Sequence, residues 1–231
     1  MKIELSNVCY TYKSKYHATH AVKDVSCSFE SSHIYAITGT SGSGKTTLLS
    51  MIAGLKVPTS GEISIDGKSV LEMDRCKLRR EEISVIYQDF NLFPLLTVEE
   101  NAAYPLLVRK EAKQKAEQAA REKLLQVGLK EDQFKRLPNM LSGGEQQRVA
   151  IARALASNNK IILADEPTGN LDRENSRNIV EILKKLAHEE NCCVIIVTHD
   201  PAAAEEADTV LPMRDGKLEV WCCPKNNRSR Q

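Results

Sequence analysis

The run Gly39-Thr40-Ser41-Gly42-Ser43-Gly44-Lys45-Thr46 constrains this chain more than any other stretch, because it fits the spacing GxxxxGK[ST]. Ahead of it Ile34-Tyr35-Ala36-Ile37-Thr38 reads as a short buried strand, and behind it Thr46 to Ala53 reads as a helix. A strand that turns through glycines into a helix leaves the helix's first backbone N–H groups unpaired at the positive end of its dipole, which suits an anion. Gly39, Gly42 and Gly44 let the backbone curl around a phosphate, Lys45 can reach outer phosphates, and the Thr46 hydroxyl suits Mg²⁺. A plain glycine turn would leave the lysine and the hydroxyl unexplained.

A chain of 231 residues allows one large α/β domain or two small ones, of which one core with a smaller strand-rich edge is expected, and no apolar run approaches the roughly 18 residues that span a bilayer. A formal net charge of +1 argues against a broadly basic nucleic-acid platform. The start, Met1-Lys2-Ile3-Glu4-Leu5, goes straight into strand-like alternation without a signal-peptide segment, so a cytoplasmic protein is expected. Seven cysteines with no CxxC and no zinc spacing read as free thiols, Cys192 and Cys193 as small buried positions beside a strand.

Along the chain, Ile3 to Val8 and Val22 to Phe29 alternate like edge strands around a polar excursion from Tyr12 to His20. Tyr12 either closes over a flat base or is a strand aromatic in a satellite core. Glu62-Ile63-Ser64-Ile65 and the Asp66-Gly67 turn extend this antiparallel layer. Residues 71–82 read as a helix, and Ile83 to Tyr87 as a strand that delivers Gln88 at its carboxyl end, where α/β sheets gather ligand contacts. The stretch Asp89 to Thr97, rich in Phe and Leu, either fills a local core or lines a partner groove. Helices are expected over 99–107 and 110–127, with Gly128 as a stop.

Ser142 and Glu145 have capping-box spacing before a helix whose first turn holds Gly143 and Gly144. Two glycines there are unfavourable for a helix but leave its N-terminus open to a phosphate. Arg148 and Arg153 on that helix are either solvated or contact residues. The apolar run Ile161 to Ala164 ends in Asp165 and Glu166, which strand alternation points in different directions: one acid for a metal-bound water, one for an attacking water. Asp172 caps the next helix or contacts a ligand, and Val194 to Thr198 ends beside His199, a structural residue or a phosphate contact. Asp200-Pro201 reads as N-cap and first residue of a helix, and Val210 to Trp221 as a final hairpin around Asp215-Gly216.

GTSGSGKT, LSGGEQQ, IILADE, GNLD and VTHD, in that order, resemble an ATP-binding cassette ATPase over essentially the whole chain. The compact length, DFNLFPLLTVEEN after Gln88 and ILADEPTGNLD are most similar to the branch that serves lipoprotein-release, macrolide-export, antimicrobial-peptide-response and cell-division membrane complexes. The resemblance implies an α/β fold: a P-loop NTPase core with a mixed central sheet, an N-terminal antiparallel β layer and an inserted α-helical subdomain. The single nucleotide-binding domain of 1–231 would divide into β layer and core over 1–88 and 160–221, the helical subdomain over 89–159 and a flexible tail over 222–231.

By the same resemblance Tyr12 stacks on adenine, and Gly39 to Thr46 (with Thr40, Ser41 and Ser43) cradle the phosphates of ATP, with Thr47 adjoining. Lys45 would contact the β and γ phosphates, while Thr46, Gln88 and Asp165 would serve Mg²⁺. Glu166 would be the general base, His199 a γ-phosphate contact, and Ser142, Gly143 and Gly144 would hold the γ-phosphate bound by an opposite copy, supported by Glu145 and Gln147. Asp172 would reach across that dimer. The implied activity is Mg²⁺-dependent ATP hydrolysis by a head-to-tail homodimer. The pair would sit on the inner face of a membrane and drive a separate transmembrane permease of export, extraction or mechanotransmission type. The alternative is a non-transport regulatory ATPase of a division or peptide-sensing complex. Thr40 departs from the proline common among close relatives, which alters loop stiffness more than chemistry.

Overall fold

A computed structural model describes residues 1–14, 17–169 and 171–219. Two sheets organise it. The first is antiparallel, in the order β2-β1-β4-β5, from β1 (Lys2–Lys13), β2 (Ala18–Glu30), β4 (Ser60–Ile65) and β5 (Lys68–Ser69). The polar excursion expected over Tyr12 to His20 is mostly strand: Tyr12 pairs with Thr19 and Thr11 with His20 across the β1–β2 hairpin. Thr11 Oγ1 and His20 Nδ1 lie 2.9 Å apart, so these polar residues are satisfied by cross-strand pairing rather than by leaving the sheet. Asp66 and Gly67 turn between β4 and β5 with φ of 47° and 76°, the left-handed pair that a tight hairpin needs.

The second sheet runs β10-β9-β3-β8-β7-β6, with β3 (His33–Thr38), β6 (Ile83–Ile86), β7 (Ile161–Asp165), β8 (Cys193–Thr198), β9 (Thr209–Arg214) and β10 (Lys217–Leu218). Its pairs are parallel except β9 with β10. Every residue of β8 is buried, which is why that strand reads as a continuous apolar run. Its alternate residues serve two cores. Val194 and Ile196 join a cluster with the helices α3 (Val98–Val108), α4 (Lys113–Gln126), α5 (Gly143–Ala156) and α6 (Arg173–His188). Cys193, Ile195 and Val197 face the antiparallel layer and α1 (Lys45–Ile52).

Several helices begin at a side-chain cap. Thr97 and Glu100 form a capping box at α3, and Ser142 and Glu145 form one at α5. Asp74 caps α2 (Arg75–Glu81), which is shorter than the expected 71–82, and Asp200 caps α7 (Pro201–Glu205) with Pro201 in its first turn. Gly128 at φ 81° follows α4 as expected of a stop. Cys192 and Cys193 are buried, and burial pushes the Cys193 thiol up to about 12. The tail expected over 222–231, and Trp221 of the final hairpin, lie outside the described residues.

Candidate nucleotide site

The loop between β3 and α1 emerges from the carboxyl end of a central parallel strand, flanked by β8 and β9. Its glycines are required by close approach. Gly44 has φ 106°, and a Cβ there would lie 2.2 Å from the carbonyl oxygen of Ala21; one on Gly39 would lie 2.2 Å from that of Met213. The buried Lys45 sends its ammonium back into the curl, donating to the carbonyls of Gly39 (2.8 Å) and Thr40 (2.9 Å). A cavity of about 850 Å³ opens over the loop, bounded by Tyr12 on one side and by Gln88, Glu166 and His199 on the other.

The tyrosine wall is built by β1. Tyr12 is 42% exposed, packs edge-to-face on Tyr10 at 4.9 Å, and shares a 3.1 Å hydrogen bond with Thr47 Oγ1. The Lys56 ammonium lies 5.0 Å from the Tyr12 ring centre, a contact between residues 44 positions apart that no motif marks.

On the opposite wall, Asp165 ends β7 and accepts a 3.1 Å hydrogen bond from Thr46 Oγ1. Burial pushes the Asp165 carboxyl above its usual range. Glu166 leaves the strand: its φ is 48°, so the expected alternation of the two acids gives way to a left-handed turn. The turn is held by Glu166 N donating to Val197 O (2.8 Å) and by Gly169 N donating to Glu166 O (3.1 Å). The Glu166 carboxylate is 2.9 Å from His199 Nδ1 and accepts from the backbone N of His199 at 3.3 Å. Among the described residues no group of three or more His, Cys, Asp or Glu is arranged to hold a metal. Thr46 and Asp165 together offer a hydroxyl and one carboxylate, a set that suits Mg²⁺ when phosphates and water complete the shell.

Ser142, Gly143, Gly144, Glu145 and Asp172 do not line this cavity. They gather elsewhere, where α5 meets the loop that leads into α6: a Cβ on Gly144 would touch Leu171 at 3.4 Å. The Glu145 carboxylate accepts from the N (2.7 Å) and Oγ (2.9 Å) of Ser142 and from Gln133 Nε2. These donors, the Ser142 backbone first, hold it below the usual carboxylate range. Gln147 is buried and donates to Pro167 O at 2.9 Å. Arg153 proves to be a contact residue: its guanidinium spans the carbonyls of Asn91 (2.7 Å) and Phe90 (2.9 Å) in the loop after Gln88.

A family model described as ABC transporter matches residues 22–169. The chain belongs to the ABC transporter family. Over 223 residues this ABC protein is 42% identical to the ABC transporter ATP-binding protein MJ0796 of Methanocaldococcus jannaschii, covering 94% of this chain and 95% of that one. It is 44% identical over 203 residues to the lipoprotein-releasing system ATP-binding protein LolD of Bordetella pertussis, covering 86% and 87%. A solved dimeric structure of MJ0796 matches with a TM-score of 0.89 at 41% identity, over 94% of this chain and 97% of that one. A second dimeric structure of MJ0796, in a post-hydrolysis state bound to ADP and Pi, matches equally well at a TM-score of 0.89. The two-sheet architecture is therefore that of an ABC ATPase cassette, and the chain is the nucleotide-binding subunit of an ABC transporter system with LolD among its relatives.

Proposed function

We propose that two copies of this chain close head-to-tail on ATP and Mg²⁺, hydrolyse it, and thereby drive a separate transmembrane permease for export, extraction or mechanotransmission. One observation carries the reading. The phosphate loop and its cavity hold Lys45, Gln88, Glu166 and His199, but the helix N-terminus best suited to a γ-phosphate, at Ser142 to Gly144, lies outside that cavity on the same chain. A second copy would supply it, and MJ0796, so similar to this chain, was solved as a dimer.

In this mechanism Tyr12 stacks on the base, and the loop from Gly39 to Thr46, with Thr47, wraps the phosphates. Thr46, Asp165 and Gln88 would hold Mg²⁺, whose chemistry when bound is to offset phosphate charge. Lys45 adds a positive charge at the β and γ oxygens, and Glu166 accepts a proton from the attacking water. His199, already 2.9 Å from Glu166, aligns the carboxylate and reaches the γ-phosphate. Ser142, Gly143 and Gly144 of one copy bind the γ-phosphate held by the other, Glu145 stiffens that helix end, and Asp172 crosses the interface. Hydrolysis removes the shared γ-phosphate and with it the contact that holds the pair closed.

The permease face is supported by exposed apolar side chains beside the Gln88 loop. Leu95 is 87% exposed, and Tyr104 and Val108 adjoin a cavity of about 310 Å³ edged by Arg79, Arg80 and Arg153. No helix among the described residues is long and apolar enough to cross a membrane, so anchoring on the inner face would come from the permease. The decisive test is Glu166→Gln. Wild type, assayed with its permease, should hydrolyse ATP, whereas the variant should retain ATP and elute as a dimer in size-exclusion chromatography. Equal hydrolysis by the two proteins would end the catalytic assignment.

A further inference from the structure

The seam between α5 and the 166–172 loop contains a polar connection that helix capping alone does not require. Asp172 caps α6 through Oδ1, which accepts from the backbone N of Asn175 at 2.9 Å. Its other oxygen, Oδ2, accepts from the side-chain Nδ2 of the same asparagine at 2.7 Å. The asparagine's carbonyl end accepts from Arg148 Nη2, and Arg148 Nη1 lies 3.4 Å from Gly128 O. Arg148 stands four residues after Gly144 on α5, one helical turn along the same face. A Cβ on Gly144 would come within 3.9 Å of Asn175 Nδ2. One amide thus joins the acid that caps α6 to the cation of the glycine-led helix, beside Gly144.

We propose that Asn175 is a positioning residue: its amide joins Asp172 to Arg148, so that seating a phosphate on Ser142 to Gly144 of one copy sets that copy's own loop from Glu166 to Asp172. The inference rests on the head-to-tail reading above. Its chemistry is specific. A primary amide is neutral and offers an acceptor to a guanidinium at one end and a donor to a carboxylate at the other. An aspartate at 175 would keep Arg148 but set two carboxylates against each other, and an alanine would lose both ends. The backbone cap from Asn175 N to Asp172 survives either change, so α6 keeps its start.

Gln147 makes a second tie across the same seam, through Nε2 to Pro167 O, and fixes the near end of the loop. Pro167 and Asp172 are thereby tied to α5 at the two ends of the segment that follows Glu166. Coupling between two binding sites typically changes affinity by about 5-fold to 150-fold.

The test uses the full-length chain as wild type, Asn175→Ala, Asn175→Asp, Arg148→Ala and the double variant Asn175→Ala/Arg148→Ala. Steady-state ATP hydrolysis, thermal melting, and ATP-dependent dimerisation in a Glu166→Gln background are measured on each. Asn175→Ala should raise the ATP needed for dimerisation about tenfold, and KM with it, and should lower kcat, although the phosphate-loop site itself is untouched. Asn175→Asp should be at least as impaired despite keeping its partner on α5, and the double variant should be no worse than the single ones. The inference is overturned if Asn175→Ala keeps kcat within twofold, if the two substitutions multiply, or if the loss of kcat follows a loss of folded protein in the melts. A wild type that neither hydrolyses ATP nor dimerises overturns the function itself. An active wild type matched by Asn175→Ala overturns only the role of the amide.

Discussion

Replacing Glu145 by glutamine exchanges a single oxygen for an amino group, yet the structure makes it costly. Oε2 of Glu145 takes both Ser142 donors, while Oε1 takes Gln133 Nε2. A glutamine can offer one oxygen to Ser142, but its amide nitrogen then faces the nitrogen of Gln133, donor against donor. Gln133 cannot relieve this by flipping, because its own Oε1 already accepts from Lys130 N at 2.7 Å. Gln133 is buried at 7% exposure, so its stranded donor has little water to turn to. One lost hydrogen bond plus that stranded donor amount to about 1–2 kcal/mol. Glu145→Ala, which also removes the glutamate half of the capping box, should lose about 2–4 kcal/mol.

The pH dependence follows from the sign of the shift. The Glu145 carboxyl sits below its ordinary value, so its contribution is present above the unfolded pKa of about 4.3 and disappears as pH falls through the folded one. Urea melts of wild type and Glu145→Gln should therefore differ most at neutral pH and converge as pH falls through the lowered folded value, with m unchanged. A glutamine variant as stable as wild type at neutral pH, or a gap that widens on acidification, would refute the donor-clash argument.

Three further outcomes are expected. Tyr12→Phe removes only the bond to Thr47 and should hold KM for ATP within about twofold, whereas Tyr12→Ala should raise it about tenfold at constant kcat, since stacking a base on an aromatic ring is worth about 1–3 kcal/mol; equal KM values would remove the ring from the site. Gly44→Ala places a Cβ 2.2 Å from a carbonyl oxygen at φ 106°, and should destabilise the fold by about 2 kcal/mol or more and abolish binding of a fluorescent ATP analogue. Glu99 is 1% exposed and 2.6 Å from both Arg121 and Lys135, whose own side chains are mostly in water. Glu99→Gln merely releases two solvated cations, at about 1–3 kcal/mol, but Arg121→Met with Lys135→Met strands a buried carboxylate and should cost about 3–5 kcal/mol; calorimetry that ranks them the other way would contradict the burial.

What was legible in the sequence is what local physics fixes. A strand, a glycine loop and a helix must follow each other around Lys45, and Ser142 with Glu145, or Asp200 with Pro201, mark helix starts through bonds made within three residues. The β1–β2 hairpin departs from the expected polar excursion because Tyr10 to Tyr12 show no clean alternation, and register comes from pairing with residues 19–22. The turn at Glu166 was invisible for another reason. Glutamate has no preference for positive φ, and the conformation is imposed by β8 through Val197 O and by His199. Gln133, Lys56 and Asn175 carried no signal for their longer contacts, since each is an ordinary polar residue whose distant partner, Glu145, the Tyr12 ring or Arg148, lies 12 or more positions away.

Helix α5 explains how those separate loops come to act together. Its apolar side, from Val149 to Leu155, lies in the core it shares with α3, α4 and one face of the central sheet. Close-packed contacts of that kind resist sliding, because a shift of even one methylene leaves voids or overlaps. Its polar side chains go the other way: Gln147 to Pro167 in the loop after β7, Arg148 to Asn175 in the first turn of α6, and Arg153 to the carbonyls of Phe90 and Asn91. Phe90 and Asn91 both have positive φ, 59° and 47°, so the Arg153 fork holds a strained bend immediately after Gln88. A hydrogen bond to a carbonyl contributes only about 0.5–1.5 kcal/mol net and can be remade at a new angle, so the loops have freedom that the helix lacks. A phosphate at the α5 N-terminus would bear on a packed helix to which both the Gln88 loop and the Glu166 loop are tied, whereas a change confined to either loop has that helix to push against.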